Sequence, residues 1–281
     1  MRRPSLPLGV RRLGPPPDPD GDTFVLLHGF GASSFSWRHW TPELARRGHV
    51  VLVDLKGFGT APHPPDDRYG PQDQAELVHR LLVELDTGPV TLVGHSLGGG
   101  IALLTALRLL DDPAGTGRLG RLALVAAAAY RQRMPPFVTL GRWPRTSRLL
   151  LQAVGTSNVV RWTLRSIVHD PDRITAGQVA GYAGPLEGAE AQRSLLRAAA
   201  QVIPPGLEAI TPRYREIRVP TLLLWGREDP VVPLWVGRRL ERALPRAHLE
   251  ILEGCGHAPM EEHPAASLGR VLGFVETTPT G

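Results

Sequence analysis

A serine, an aspartate and a histidine each stand just after a short apolar run in this chain: Ser96 after Val90–Val93, Asp229 after Thr221–Trp225, and His257 after His248–Leu252. A serine hydroxyl is a weak nucleophile until a base takes its proton, and an imidazole base needs a carboxylate to hold its tautomer and offset its charge. Brought together, the three side chains would support nucleophilic acyl transfer. Ser96 is the centre of Gly94-His95-Ser96-Leu97-Gly98, between a β-favouring run and an apolar helical one. That G-x-S-x-G spacing is the nucleophile elbow. In so sharp a turn the serine takes strained backbone angles and the residues two positions away must lack a Cβ, as Gly94 and Gly98 do. The helix that follows points its N-terminus at the serine, so the Leu97 N–H can donate to a developing oxyanion. His95 reads as packing or tuning rather than as a second base.

These groups can meet only if strands deliver them to one edge of a sheet. Thr23–Leu27 is a short apolar strand; Trp37, Trp40 and Leu44 then fall at helical spacing and read as core. His49–Leu55 is the next strand, and Asp54 at its end reads as ordering the glycine turn that follows. Gln72–Asp86, with Leu77, Val78, Leu81, Leu82 and Leu85 on one face, is an amphipathic helix leading to the elbow strand. The helix after the elbow is apolar almost all round and should be the most buried. Leu119–Ala127 adds another strand. Strands alternating with helices imply a mostly parallel central sheet flanked by helices, an α/β fold.

From Ala128 to about Arg218 no strand-like run occurs, and short helical patterns such as Asn158–Val168 and Gln192–Val202 suggest an inserted helical cap. The strand rhythm resumes at Pro220–Gly226, passes through a helix near Pro233–Leu244 and a last strand at His248–Leu252. A closing helix carries Leu268, Val271, Leu272 and Val275. The expected division is an N-terminal segment 1–22, a core of 23–129 and 219–281, and a helical cap 130–218. Only Val10–Leu13 offers a strand within the N-terminal segment, so a shortened N-terminal sheet edge is expected.

At 281 residues, 42% hydrophobic and 21% charged, the chain can build one large core with an insertion. No apolar run reaches the length of a membrane span. The paired arginines near the N-terminus are followed by prolines and charges rather than by the apolar stretch of an export signal. With a single cysteine, Cys255, which reads as a small packed thiol, a cytoplasmic location is expected. The +5 net charge is concentrated in 131–218, where thirteen arginines face six acidic residues. Thirty-one arginines beside one lysine indicate a general arginine bias, and no nucleic-acid-binding motif accompanies it. An anionic substrate under the basic cap is a further hypothesis. The histidines lack metal-ligand spacing, so neither a metal nor a cofactor is expected. His263 reads as a surface residue at a helix start.

Five stretches in order, HGFGASSFSW, DLKGFG, LVGHSLGGG, VPTLLLWGREDPVVP and LEGCGHAPMEEHP, resemble the α/β-hydrolase superfamily, specifically its serine-nucleophile, esterase-like branch with a helical cap. The chain order Ser96, Asp229, His257 is that of the superfamily. The resemblance implies Ser96 as nucleophile, His257 as general base and then acid, and Asp229 as its orienting partner, with Glu228 as the alternative acid. It also implies an oxyanion loop at His28-Gly29-Phe30-Gly31, so that the Phe30 and Leu97 N–H groups form the oxyanion hole. The expected activity is hydrolysis of a small-molecule carboxylic ester through an acyl-enzyme. Carbon–carbon bond hydrolysis, thioesterase or perhydrolase activity, and a non-catalytic ligand-binding role stay open. Oligomeric state is not legible.

Overall fold

The computed structural model describes residues 5–139 and 153–279. Within them β1 (Gly9–Leu13), β2 (Thr23–Leu27), β3 (His49–Asp54), β4 (Val90–His95), β5 (Leu119–Val125), β6 (Thr221–Gly226) and β7 (Ala247–Leu252) form one sheet in the order β1-β3-β2-β4-β5-β6-β7. Strand β1 runs antiparallel to β3 and every other pairing is parallel. One antiparallel strand thus makes up the short N-terminal edge, beginning at Gly9 rather than Val10.

The inner strands are apolar throughout because both faces of the sheet are covered. Phe24, Leu26, Val50 and Leu52 face one core, shared with Trp37, Trp40 and Leu44 and with Leu268, Val271, Leu272 and Val275. The alternate residues Val25, Leu27, Val51 and Val53 face the other, shared with Val78, Leu81, Leu82, Ile101, Val236 and Leu240. Helices α1 (Thr41–Arg47) and α8 (Pro264–Thr277) therefore cover one face, and α2 (Pro71–Glu84), α3 (Leu97–Asp111) and α7 (Leu234–Ala243) the other. The tryptophans are core, but their helical spacing spans two elements: a 3-10 turn ends at Trp37, and α1 starts anew with Pro42 near its first position. Helix α2 stops at Glu84, two residues short of the sequence reading, because Leu85 is extended. Helix α3 buries twelve of its fifteen residues, consistent with its unbroken apolar surface.

Between β5 and β6 the described residues form helices and turns and no strand. Helices α4 (Thr156–Ile167) and α6 (Ala189–Ala200) start two or three residues before the periodic patterns that announced them. Helix α5 (Ala176–Ala183), AGQVAGYA, is too short and too rich in small residues to show a pattern. Residues 140–152 of the expected cap lie outside the described residues. Val160, Leu164, Val179, Tyr182, Ala183 and Leu186 form a small core of the insertion, closed by Ala32 and Phe35 from the loop after β2. No helix among the described residues is long and apolar enough to cross a membrane. The register aligns Leu27 with Gly94, His95 with Val125 and Gly226 with Leu252, so the carboxyl ends of the parallel strands share one rim beneath the insertion. Open α/β sheets bind ligands at that rim.

Candidate active site

Ser96 joins β4 to α3 with φ 52° and ψ −115°, in the positive-φ region that a residue with a Cβ rarely enters. The turn closes only because its flanks are bare. A Cβ on Gly94 would lie 2.5 Å from the Gly98 carbonyl oxygen, and one on Gly98 would lie 2.5 Å from the carbonyl oxygens of Leu27 and His28. The second contact also presses the loop after β2 against the start of α3.

His257 comes from the loop after β7. Its Nε2 is 2.9 Å from Ser96 Oγ, and its Nδ1 is 2.8 Å from Asp229 Oδ2. Asp229 follows β6, with its other oxygen accepting the N–H groups of Val231 and Val232 at 2.8 Å each. Both side chains are buried, with the Asp229 carboxylate fully so. The carboxylate is therefore oriented by its own loop before it meets the imidazole. Glu228 is turned elsewhere and accepts the Cys255 N–H at 2.9 Å. Asp54 accepts from the Ser34 and Thr60 N–H groups and the Thr60 hydroxyl, bracing the turn after β3.

The Phe30 and Leu97 N–H groups donate to no described protein atom, and both residues line the same cavity as Ser96 and His257. Leu97 is the first residue of α3, where the N–H has no intrahelical acceptor. The orientation of the other amide is set by His28. Leu55 N–H donates to His28 Nε2 at 3.0 Å, so the ring proton sits on Nδ1 and is donated to the Gly29 carbonyl at 2.8 Å. That carbonyl and the Phe30 N–H belong to one planar trans peptide and point in opposite directions. Pinning the oxygen on one side turns the N–H to the other. The sequence marked His28 as part of the loop without assigning it this task.

His95 is held by the His257 main chain: its Nε2–H donates to the main-chain oxygen of His257 at 2.9 Å, and its ring centre lies 4.9 Å from that of His257. A carbonyl can only accept, so Nδ1 is the unprotonated nitrogen; it is buried and has no protein partner. Burial, reinforced by the neighbouring His257, holds the His95 pKa well below that of an ordinary histidine, and burial lowers that of His28 as well. Both rings take up a proton less readily in the folded chain than in the unfolded one, which protonates them below about pH 6.5. The unfolded state then binds more protons, so their contribution is complete above that pH and is lost as the pH falls. Each ring should steepen the loss by up to about 1.4 kcal/mol per pH unit below pH 6.5. Urea unfolding at pH 7.5 and 5.5 should show the fall, with a smaller slope for His95→Asn; equal slopes would deny the burial argument.

Cys255 is buried, and that burial pushes its thiol pKa up. His263 stands at the N-cap position of α8, half-buried rather than on the surface, and its ring bonds the Gly254 carbonyl at 2.8 Å instead of capping the helix. The sequence reading passed over the pair Glu261-Glu262, which the signal of two carboxylates four and five residues after His257 could have flagged. Glu261 is bound bidentately by Arg38 at 2.5 Å, by the Tyr182 hydroxyl of α5 at 2.6 Å and by Gln178 at 3.1 Å, tying the insertion to the core. It also missed the cavity wall. A cavity of about 180 Å3 opens over Ser96, with much of its apolar wall supplied by insertion residues such as Val160, Leu164, Ile167 and Leu195. A hydroxyl in contact with a buried imidazole–carboxylate pair, beside two free N–H groups, can carry out nucleophilic acyl chemistry.

The family model described as the alpha/beta hydrolase family matches residues 24–268. An uncharacterized hydrolase of Bacillus subtilis, YugF, is 28% identical over 260 residues, covering 92% of each chain. A 2-hydroxy-6-oxononadienedioate/2-hydroxy-6-oxononatrienedioate hydrolase of Cupriavidus pinatubonensis is 28% identical over 262 residues, covering 90% of this chain and 86% of its own. Among solved structures, an alpha/beta hydrolase fold protein from Burkholderia ambifaria superposes with a TM-score of 0.82 at 27% identity, covering 95% of this chain and 93% of its own.

Proposed function

The chain belongs to the alpha/beta hydrolase family, and from that premise we propose that it is a serine hydrolase that cleaves a neutral carboxylic ester through an acyl-enzyme. Ser96 attacks the ester carbonyl while His257 takes its proton, and Asp229 stabilises the resulting imidazolium. The Phe30 and Leu97 N–H groups bind the tetrahedral oxyanion. His257 then protonates the departing alcohol, the C–O bond breaks, and a water activated by the same imidazole releases the acid. The observation that carries this reading is the contact of His257 with Ser96 at 2.9 Å and Asp229 at 2.8 Å.

The Cupriavidus relative, named for a dienedioate, favours a second reading as a carbon–carbon bond hydrolase of the same fold. Such a substrate brings two carboxylates. Among the described residues the cavity wall contains no Lys or Arg, and Glu261 in that wall is already paired with Arg38. Burying an unpaired carboxylate there costs several kcal/mol, whereas an apolar acyl group gains by leaving water. The described arginines of the cap line none of the cavity; Arg131, Arg165, Arg193, Arg197 and Arg213 pair with acidic residues on its outside. They give no support to an anionic substrate.

A series of p-nitrophenyl esters tests both points. Each methylene added beyond acetate should raise kcat/KM about fourfold until the cavity is full, following about 0.8 kcal/mol per buried CH2. The succinate monoester, similar in size to the butyrate but charged, should fall at least about 100-fold below it. Rapid turnover of a dienoate ring-cleavage product with negligible ester hydrolysis would replace this reading with the second.

A further inference from the structure

We propose that Glu262 is a positioning residue for His257, and that it works together with the cap segment Ile167–His169, so that packing of the acyl group against the cap is transmitted to the base. The inference rests on His257 being the base. The main chain around the imidazole is held from three sides. His257 N–H donates to the carbonyl of Ile167 at 2.8 Å. Ile167 is the last residue of α4, where carbonyls lack intrahelical donors. His257 C=O accepts from His95 at 2.9 Å.

The Glu262 carboxylate takes the two flanking amides, Gly256 N–H at 2.9 and 3.1 Å and Ala258 N–H at 3.1 Å, and with the same group takes His169 N–H of the cap at 2.7 Å. One side chain therefore bridges the base loop and the cap. There is no slack between them: a Cβ on Gly256 would lie 2.7 Å from the Ile167 oxygen and the His169 nitrogen.

Ile167 and Val168 line the cavity over Ser96. The residue whose carbonyl anchors the His257 amide is thus part of the wall that meets the bound acyl group. An acyl chain long enough to press on this wall holds α4 down and keeps the imidazole in line with Ser96. An acetyl group leaves the wall unfilled. Binding energy far from the carbonyl then appears in kcat rather than only in KM. A carboxylate suits the junction because both oxygens accept. Oε2 serves His169 and Gly256 and Oε1 serves Ala258 and Gly256, so a glutamine sets its NH2 against the Gly256 N–H and one other donor whichever way the amide lies. Glu262→Gln should weaken the junction, and Glu262→Ala should remove it, cap link included.

The test compares wild type, Glu262→Gln and Glu262→Ala with p-nitrophenyl acetate and octanoate, with active sites counted by a fluorophosphonate probe so that misfolded protein drops out of kcat. Glu262→Ala should lower kcat per active site about 10- to 100-fold on both esters with KM changed less than about twofold, the scale of a misplaced catalytic group. Glu262→Gln should lose less than Glu262→Ala on each ester, and in Glu262→Ala the loss should be larger on octanoate, erasing the advantage in kcat of the long acyl chain. The proposal is overturned if Glu262→Ala keeps wild-type kcat per active site, if its loss lies in KM alone, or if it loses equally on both esters. Wild type that hydrolyses neither ester and does not react with the probe would overturn the serine-hydrolase reading itself. An active wild type with an equally active Glu262→Ala removes only the role of Glu262.

Discussion

Replacing Ser96 with alanine should lower ester turnover about a millionfold while leaving the fold intact. The change removes the oxygen that lies 2.9 Å from His257 Nε2. Loss of the nucleophile alone costs a serine triad of this kind about 10^6 in kcat, because the remaining members act as a unit and have nothing to activate. The residual rate would come from the Phe30 and Leu97 amides and from binding. Alanine has the same Cβ as serine and meets the same strain at φ 52°, so Tm should stay within about 2 °C of wild type. The measurement is turnover of p-nitrophenyl butyrate by protein with an unchanged melting curve, with fluorophosphonate labelling as the second readout. Labelling at the wild-type rate would place the nucleophile elsewhere.

Asp229→Asn should lower kcat about 10^4-fold, and the direction follows from how the carboxylate is held. Oδ1 accepts two N–H groups, from Val231 and Val232, at 2.8 Å each. An asparagine keeps its oxygen there, since reversing the amide would set NH2 against two donors. Its NH2 then faces His257 Nδ1, which must become the acceptor. The ring proton moves to Nε2, where it points at Ser96 and can no longer accept the hydroxyl proton. The geometry survives with the wrong tautomer. Glu228→Gln is the control: that carboxylate braces the Cys255 N–H rather than the ring, so kcat should change by less than about tenfold. Reversed effects of the two variants would make Glu228 the working acid.

The parts of the molecule that could be read early share a short range. The alternation of apolar strands and helices, the break in that rhythm after β5 and the Gly-Xaa-Ser-Xaa-Gly turn are properties of five to fifteen consecutive residues. Periodicity and missing Cβ atoms leave their mark directly on the chain. Asp229 and His257 could be nominated because each had to follow a strand. Element ends drifted by one to three residues where a proline or an extended residue, as at Pro42 and Leu85, decided the boundary. Helix α5 had no pattern to read.

What belongs to the sequence alone, then, is the α/β layout with its shortened first edge, and the identity of the groups able to do chemistry. Tertiary structure decided their environment: the orientation of the Phe30 amide by His28, the apolar wall contributed by the insertion, the pairing of five of its arginines with acidic residues, and the grip of Glu262 and Ile167 on the loop of His257. The bonds of Leu55 to His28, His257 to Ile167 and His169 to Glu262 join residues 27, 90 and 93 positions apart, and the wall is built of ordinary aliphatic side chains. A main-chain carbonyl or a leucine has no chemical signature of its own, and its role arises only from the surface it is folded against.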